Sequence, residues 1–212
     1  MPIFGVFRLE MRIDMKKPNE MDYPSWMLLN HLKFDPLHAR PNAVQHTDGS
    51  LNSQKQRQHM IKISLLADCP ESVPTLVRWF RTQWPDYFAG RTEADIAQDF
   101  FLEANRNGIP VRLVAFADGE LAGTITLRDR AMNALPEYHP GLGGLFVIEQ
   151  HRGQGIGSEL VRAGMHVARE QGYQRIYATT VAARGILERL GWKPIQRVSD
   201  GDEKLMIYSC DL

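Results

Sequence analysis

Residues 145–160 read LFVIEQHRGQGIGSEL, in which Arg152, Gly153, Gln154, Gly155, Ile156, Gly157 and Ser158 join an apolar run to an amphipathic one. A basic residue and three alternating glycines ahead of a helix form a turn shaped to hold phosphate. Glycine lets backbone amides approach a ligand closely, and the first N–H groups of the helix, with its positive dipole end, face the anion. Arg152 can add a permanent charge-assisted contact. The competing reading is a plain tight connection with Arg152 in solvent. Glycine loses the most backbone freedom on folding, so three of them in one turn are an expensive way to build a connection.

The elements that must position this turn are legible from residue 60 onward. IKISLLA (61–67) has strand character, and Pro70 opens a helical pattern through Val73, Leu76, Val77 and Phe80 that Pro85 ends. Thr92-Glu93 caps a second helix carrying Ile96, Phe100, Phe101 and Ala104, stopped by Asn107-Gly108. VRLVAFAD (111–118) and ELAGTITLRD (120–129) form a hairpin through Asp118-Gly119. GLGGLFVI (141–148) reads as a central strand. The helix after the turn shows one apolar face, Ile156, Leu160, Val161, Met165 and Ala168. RIYATTV (175–181), RGILERLGW (184–192), KPIQRVS (193–199) and KLMIYSC (204–210) complete the order β-α-α-β-β-β-α-β-α-β-β, a mixed α/β sheet rather than a doubly wound parallel one.

Three phosphate-binding turns compete for 152–158. A P-loop needs GxxxxGK[ST], and no Lys-Ser or Lys-Thr follows these glycines. A dinucleotide turn needs GxGxxG directly after its strand and an acid at the end of the next one; here Ser158 stands in the pattern, and the next strand ends at Thr179-Thr180. The third reading is that Arg152-Gly153-Gln154-Gly155-Ile156-Gly157 resembles the acyl-coenzyme A signature [RQ]-x-x-G-x-[GA] of the GNAT acetyltransferase superfamily. The preceding LFV strand, the order of elements and the later Leu190-Gly191-Trp192 extend the resemblance over most of residues 60–210.

The resemblance implies a GNAT fold: a mixed, mostly antiparallel central sheet flanked by helices. It implies acetyl-coenzyme A as co-substrate, no metal, and direct transfer of the acetyl group to an amine of a small-molecule or peptide acceptor. Leu145, Phe146 and Val147 would pair with the pantetheine arm, and the amides of Arg152 through Ser158 would hold the pyrophosphate. A strand N–H of Phe146 or Val147 would polarise the thioester carbonyl. Family members commonly carry an asparagine and a tyrosine acid near the last helix, where this chain has Thr180 and Leu187. Tyr177 and Tyr208 are the substitutes for the acid. Glu137 and His139, in the loop before the central strand, are the candidates for the base, histidine titrating near pH 6.5. Trp84, Tyr87 and Phe88 would line an aromatic acceptor pocket, with Asp86 to attract a cationic amine. The replaced tyrosine also admits a non-catalytic acyl-coenzyme A-binding or regulatory module.

Composition narrows the partners. The 212 residues hold 25 Lys+Arg and 25 Asp+Glu, so a nucleic-acid binder held by bulk positive charge is not expected. Hydrophobic residues make up 43%, enough for a sizeable core. Two cysteines without a CxxC pair argue against a disulfide framework or structural zinc. No run approaches the roughly 18 apolar residues of a membrane span, and the first residues lack a signal-peptide pattern, so the expected location is cytoplasmic with no membrane partner.

Residues 1–59 hold two of the 17 glycines but four of the seven histidines, spaced too widely for a metal site. They are expected to be an extension, largely flexible, with a short helix over 23–34, ahead of a catalytic domain over 60–212 that begins at Met60, a candidate alternative start. C-terminal edge strands can pair two copies into a homodimer.

Overall fold

The computed structural model describes residues 60–180, 182–200 and 203–212. The expected helix at 23–34 and the histidines up to His59 lie outside these. The described elements follow the expected order: β1 (Ile61–Leu65), α1 (Val73–Gln83), α2 (Glu93–Leu102), β2 (Val111–Ala117), β3 (Glu120–Arg128), β4 (Gly141–Val147), α3 (Ile156–Glu170), β5 (Arg175–Thr180), α4 (Arg184–Arg189), β6 (Lys193–Asp200) and β7 (Glu203–Asp211).

Boundaries differ where local hydrogen bonding intervenes. The first strand stops at Leu65 because the chain turns through 3₁₀ segments at Leu66–Asp68 and Pro70–Ser72. The second helix stops at Leu102, short of Asn107, because Asn105 Nδ2 donates to the carbonyls of Leu102 and Pro110 while Ala104 bridges to Val111. Its start is a capping box: Thr92 and Asp95 exchange side-chain and backbone bonds. Asp118 and Gly119 both take positive φ, 51° and 89°, the geometry a two-residue hairpin turn with native twist demands.

The seven strands lie in the order β1-β2-β3-β4-β5-β7-β6, antiparallel everywhere except between β4 and β5. Strand alternation sorts side chains between two apolar layers. Leu113, Ala115, Ile125 and Leu127 face α3 and α4, whereas Val114 and Phe116 pack under α1 and α2. The helix α3 seats Ile156, Leu160, Val161 and Ala168 on the sheet, the first three each at no more than 1% exposure. Burying side chains of that size contributes about 1.5–3 kcal/mol apiece. Met165 is only half-buried, because Gly164 occupies the closest approach: a methyl group on it would lie 2.5 Å from Leu142 Cδ1.

Candidate functional site

The parallel joint between β4 and β5 consists of one register position, Gly141 opposite Tyr177, where the Tyr177 N–H donates to the Pro140 carbonyl at 3.0 Å. Beyond it the two strands part. β5 turns its pairing to β7 over six positions, and β4 keeps only β3. The result is a fork in the sheet, open toward the C-terminal ends of both strands. The Ile148 N–H donates to Ala122 on β3, so by alternation the N–H groups of Val147 and Leu145 face the fork. Phe146 pairs with Thr124, and its own N–H faces β3. Its ring instead fastens β4 to α1, 5.4 Å from Trp79 and 6.1 Å from both Phe80 and Trp84.

At the open end of the fork the chain passes through a 3₁₀ turn, Glu149–His151, into the glycine turn. Gly153 and Gly155 have φ of +76° and +88°, and among the described residues nothing lies within 4 Å of where a Cβ would sit, so backbone conformation rather than crowding calls for glycine there. Gly157 has ordinary φ but is crowded: a Cβ would meet Ile186 Cδ1 of α4 at 3.0 Å. Gly155 is the N-cap of α3 and offers no capping side chain. Ser158 and Glu159 donate back to the Gly155 carbonyl, so the N–H groups of Ile156 and Gly157 precede the first intrahelical bonds. Gly153, Gln154 and Gly155 are exposed, Ser158 is half-buried, and Ile156 belongs to the core. Arg152 is partly committed: its Nε donates to the Val147 carbonyl at 2.9 Å, tying the turn to the end of β4. Gln154 Nε2 bonds the Gln150 carbonyl at 3.0 Å. Leu145, Val147 and residues 152–158 thus converge at the fork's mouth, an open strand edge beside a cradle of unpaired helical amides. That combination fits an extended, amide-bearing ligand with a phosphate at one end.

The face of the sheet under α1 and α2 holds an unexpected polar layer. Arg112 and Glu103, 3% and 2% exposed, form a buried ion pair through Nε and a carboxylate oxygen. Arg112 Nη1 also donates to Thr124 Oγ1 at 3.2 Å, and its guanidinium lies 4.8 Å from the Phe100 ring centre and 5.2 Å from that of Phe80. Beside it β4 bulges. Thr124 pairs with Phe146 but Thr126 with Gly143, so β4 spends one residue more than β3. Gly144 supplies it at φ +60°, a conformation that strains any other residue. The bulge puts Leu142 and Leu145 on the same α3-facing side. Two adjacent glycines inside a strand were the sequence signal for this bulge, and the reading of 141–148 as a regular central strand passed over it.

The acid and base candidates lie at the closed end of the fork. Tyr177 sits at the rung itself, on the α1/α2 side, its ring 5.3 Å from that of Tyr138, whose hydroxyl bonds Gln196 Oε1. Glu137 is exposed. His139 Nδ1 lies 2.6 Å from the Asp129 carbonyl and 2.9 Å from Asp129 Oδ1, and its ring packs 5.4 Å from Tyr173. Tyr173 follows the far end of α3, about 22 Å along a 15-residue helix from the glycine turn. Tyr208 is buried on the α4 side with its hydroxyl on Glu188 Oε1; burial, then that carboxylate, raises its pKa. Leu187 is fully buried in the same layer.

The expected acceptor pocket is reshaped. Trp84 and Phe88 are core residues at 3% and 6% exposure, and Asp86 points to solvent. Tyr87 and Phe88 do line a cavity under α2, where the acids are Asp99 and Glu103.

Comparison with known proteins bears on the whole arrangement. The human N-acetyltransferase 8B is 32% identical over 124 residues, covering 54% of this chain and 53% of that protein. The chain spans about half the length of the curated relatives it matches. An acetyltransferase of the GNAT family from Streptococcus pneumoniae superposes with a TM-score of 0.56 at 14% identity, over 72% of this chain and 100% of that one. The Salmonella typhimurium yncA protein, solved with its cofactor acetyl-CoA, gives 0.53 at 15% identity over 71% and 93%. Identities this low speak for the fold alone. The sequence model of the acetyltransferase (GNAT) family matches residues 73–192. That is more than half of the chain, which therefore belongs to the acetyltransferase (GNAT) family.

Proposed function

We propose that this protein transfers the acetyl group of acetyl-coenzyme A directly to an amine. The observation that carries the reading is the fork: a strand edge with no partner strand for the length of Leu145 to Val147, ending at a positive-φ glycine turn on a helix N-terminus. Leu145, Phe146 and Val147 form the strand on which the pantetheine arm lies, its amides reaching the fork-facing backbone of Leu145 and Val147. The turn from Arg152 to Ser158 receives the pyrophosphate, with Gly153, Gln154, Gly155, Ile156 and Gly157 supplying backbone. In the reaction the free amine nitrogen attacks the thioester carbonyl carbon, the carbonyl oxygen becomes an oxyanion, and the carbon–sulfur bond breaks. The product is an amide, and the thiolate takes a proton to become free coenzyme A. A fork-facing N–H stabilises the oxyanion, a class of contact whose removal costs about 2.7–4 kcal/mol in other acyl-transfer sites.

Glu137, His139 and Tyr177 are carried as proton-transfer candidates. His139, with Nδ1 held by Asp129, presents Nε2 for proton acceptance. Residues 60–212 are assigned as the catalytic unit and 1–59 as an extension, with a cytoplasmic location; no described helix is long and apolar enough to cross a membrane. A non-catalytic acyl-coenzyme A-binding module is the second reading, favoured by the burial of Leu187 at the position where the family resemblance implies a tyrosine acid.

The test is calorimetric titration of the full chain with acetyl-coenzyme A, coenzyme A and NADPH, followed by thiol release over a panel of small amines and peptides. Acetyl-coenzyme A binding with amine-dependent thiol release is the expected result. Binding without release from any amine selects the second reading, and no binding of either coenzyme refutes both.

A further inference from the structure

The buried Arg112–Glu103 pair lies where no core-packing rule calls for charge. Val114 and Phe116, on the same face of β2, are apolar and pack under α1 and α2, so this layer accepts hydrocarbon side chains. A buried ion pair is no net stabiliser relative to well-packed apolar residues of similar volume, so its presence points to a demand for fixed geometry. The pair connects two elements of the site. Glu103 is the C-cap of α2, and Arg112 is bound to it twice, its N–H donating to the Glu103 carbonyl at 2.9 Å and its Nε to the carboxylate. From there the guanidinium crosses β3 through Thr124 Oγ1, which itself donates to the Leu113 carbonyl at 2.7 Å. It ends against the bulge: a methyl group on Gly144 would lie 3.6 Å from Arg112 Nη2, 3.7 Å from Nη1 and 3.6 Å from Thr126 Oγ1. Thr126 is 1% exposed, and its hydroxyl makes no hydrogen bond among the described residues. The peptide that follows Gly144 carries the Leu145 N–H, which faces the fork.

We propose that Arg112 and Glu103 are positioning residues for acyl transfer: together they clamp the Gly144 bulge so that the Leu145 N–H is aimed at the thioester carbonyl. The assignment rests on the acetyl-transfer reading and deepens it. Arg112 touches neither the coenzyme strand edge nor the glycine turn, so its loss is expected to leave coenzyme affinity largely intact while weakening carbonyl polarisation.

The experiment uses the full chain and acetyl-coenzyme A labelled with ¹³C at the acetyl carbonyl. In the wild type, binding shifts the carbonyl resonance downfield. In the double variant R112M/E103L, which removes both charges and leaves neither stranded, melting temperature and affinity stay near wild type. The bound carbonyl shift falls by half or more, and kcat with any accepted amine drops about tenfold or further, with KM for the coenzyme little changed. R112K keeps the charge but cannot span Glu103, Thr124 and the bulge at once, so it falls between the two; it carries the test should the double variant not fold. A folded, coenzyme-binding variant with the wild-type carbonyl shift overturns the role of the pair and leaves acetyl transfer standing. Failure of the wild type to bind acetyl-coenzyme A overturns the transfer reading and this assignment together.

Discussion

Replacing Gly155 by alanine and by glutamate separates the backbone demand of the turn from its demand for an anion. Gly155 has φ +88° and, among the described residues, no atom within 4 Å of where a Cβ would sit, so the alanine variant meets strain but no clash there. An L-residue in left-handed geometry costs about 1–2 kcal/mol. For a chain of this size that lowers the melting temperature by about 2–8 °C. Glutamate has the same backbone strain and adds a carboxylate beside the N-terminus of α3. Placed about 5 Å from one phosphate charge at an effective dielectric near 20, it opposes binding by about 3 kcal/mol, or about 100-fold in affinity. The expected pattern is two variants with similar melting temperatures, of which the glutamate form binds acetyl-coenzyme A at least about 100-fold more weakly than wild type. The assays are calorimetric titration and thermal unfolding of the full chain. Wild-type affinity in the glutamate variant would refute the placement of the pyrophosphate on this turn, and an alanine variant losing far more stability than the strain figure would refute the open-space reading of Gly155.

Two further outcomes test the scaffold. Gly164→Ala improves helix propensity by up to about 1 kcal/mol but sets a methyl group 2.5 Å from Leu142 Cδ1 on a fully buried side chain. The overpacking term, about 1–3 kcal/mol, is expected to win; urea unfolding that shows a stabilised variant would mean that Leu142 repacks freely. At the start of α2, hydrogen bonds from the Thr92 hydroxyl and N–H, with the nearby Arg91 charge, hold the Asp95 carboxyl below its ordinary range. A lowered carboxylate pKa adds stability that is complete above the unfolded value near about 4 and is lost as pH falls through the folded one. Asp95→Asn should therefore be less stable than wild type at neutral pH, with the gap closing in acid; a gap of constant size from neutral pH to pH about 3 would remove the linkage.

The glycine turn and its flanks were readable because their constraints are local. A positive φ, a helix start and an apolar stripe at 3.6-residue spacing are written within a dozen residues, as is the Asp118-Gly119 hairpin. The polar layer was not, because Arg112 stands in a strand where alternation allows a solvent-facing side chain, and only the return of α2 over that face buries it against Glu103. Trp84 and Phe88 show the converse. Their type suits a binding wall, and only the packing of Phe80, Ile96, Phe100 and Phe146 around them makes them core. The bulge lay between these cases: Gly143-Gly144 marks it locally, but its consequence, two leucines on one face, depends on the register with β3.

Because β4 and β5 share one rung, the pairing divides the seven-stranded sheet into two parts, of four and three strands. Much of what joins them comes from the loop between β3 and β4, which acts as a clasp. Pro140 supplies the rung's acceptor, Ala131 accepts from Thr179 Oγ1 of β5 at 3.0 Å, and Tyr138 reaches both Tyr177 and Gln196. Glu137 and His139 ride on this clasp. Both residues belong to the loop that carries these contacts, so a fall in rate at either position is to be weighed against the pairing of Thr179 and Tyr177 with that loop before it is read as loss of the proton acceptor.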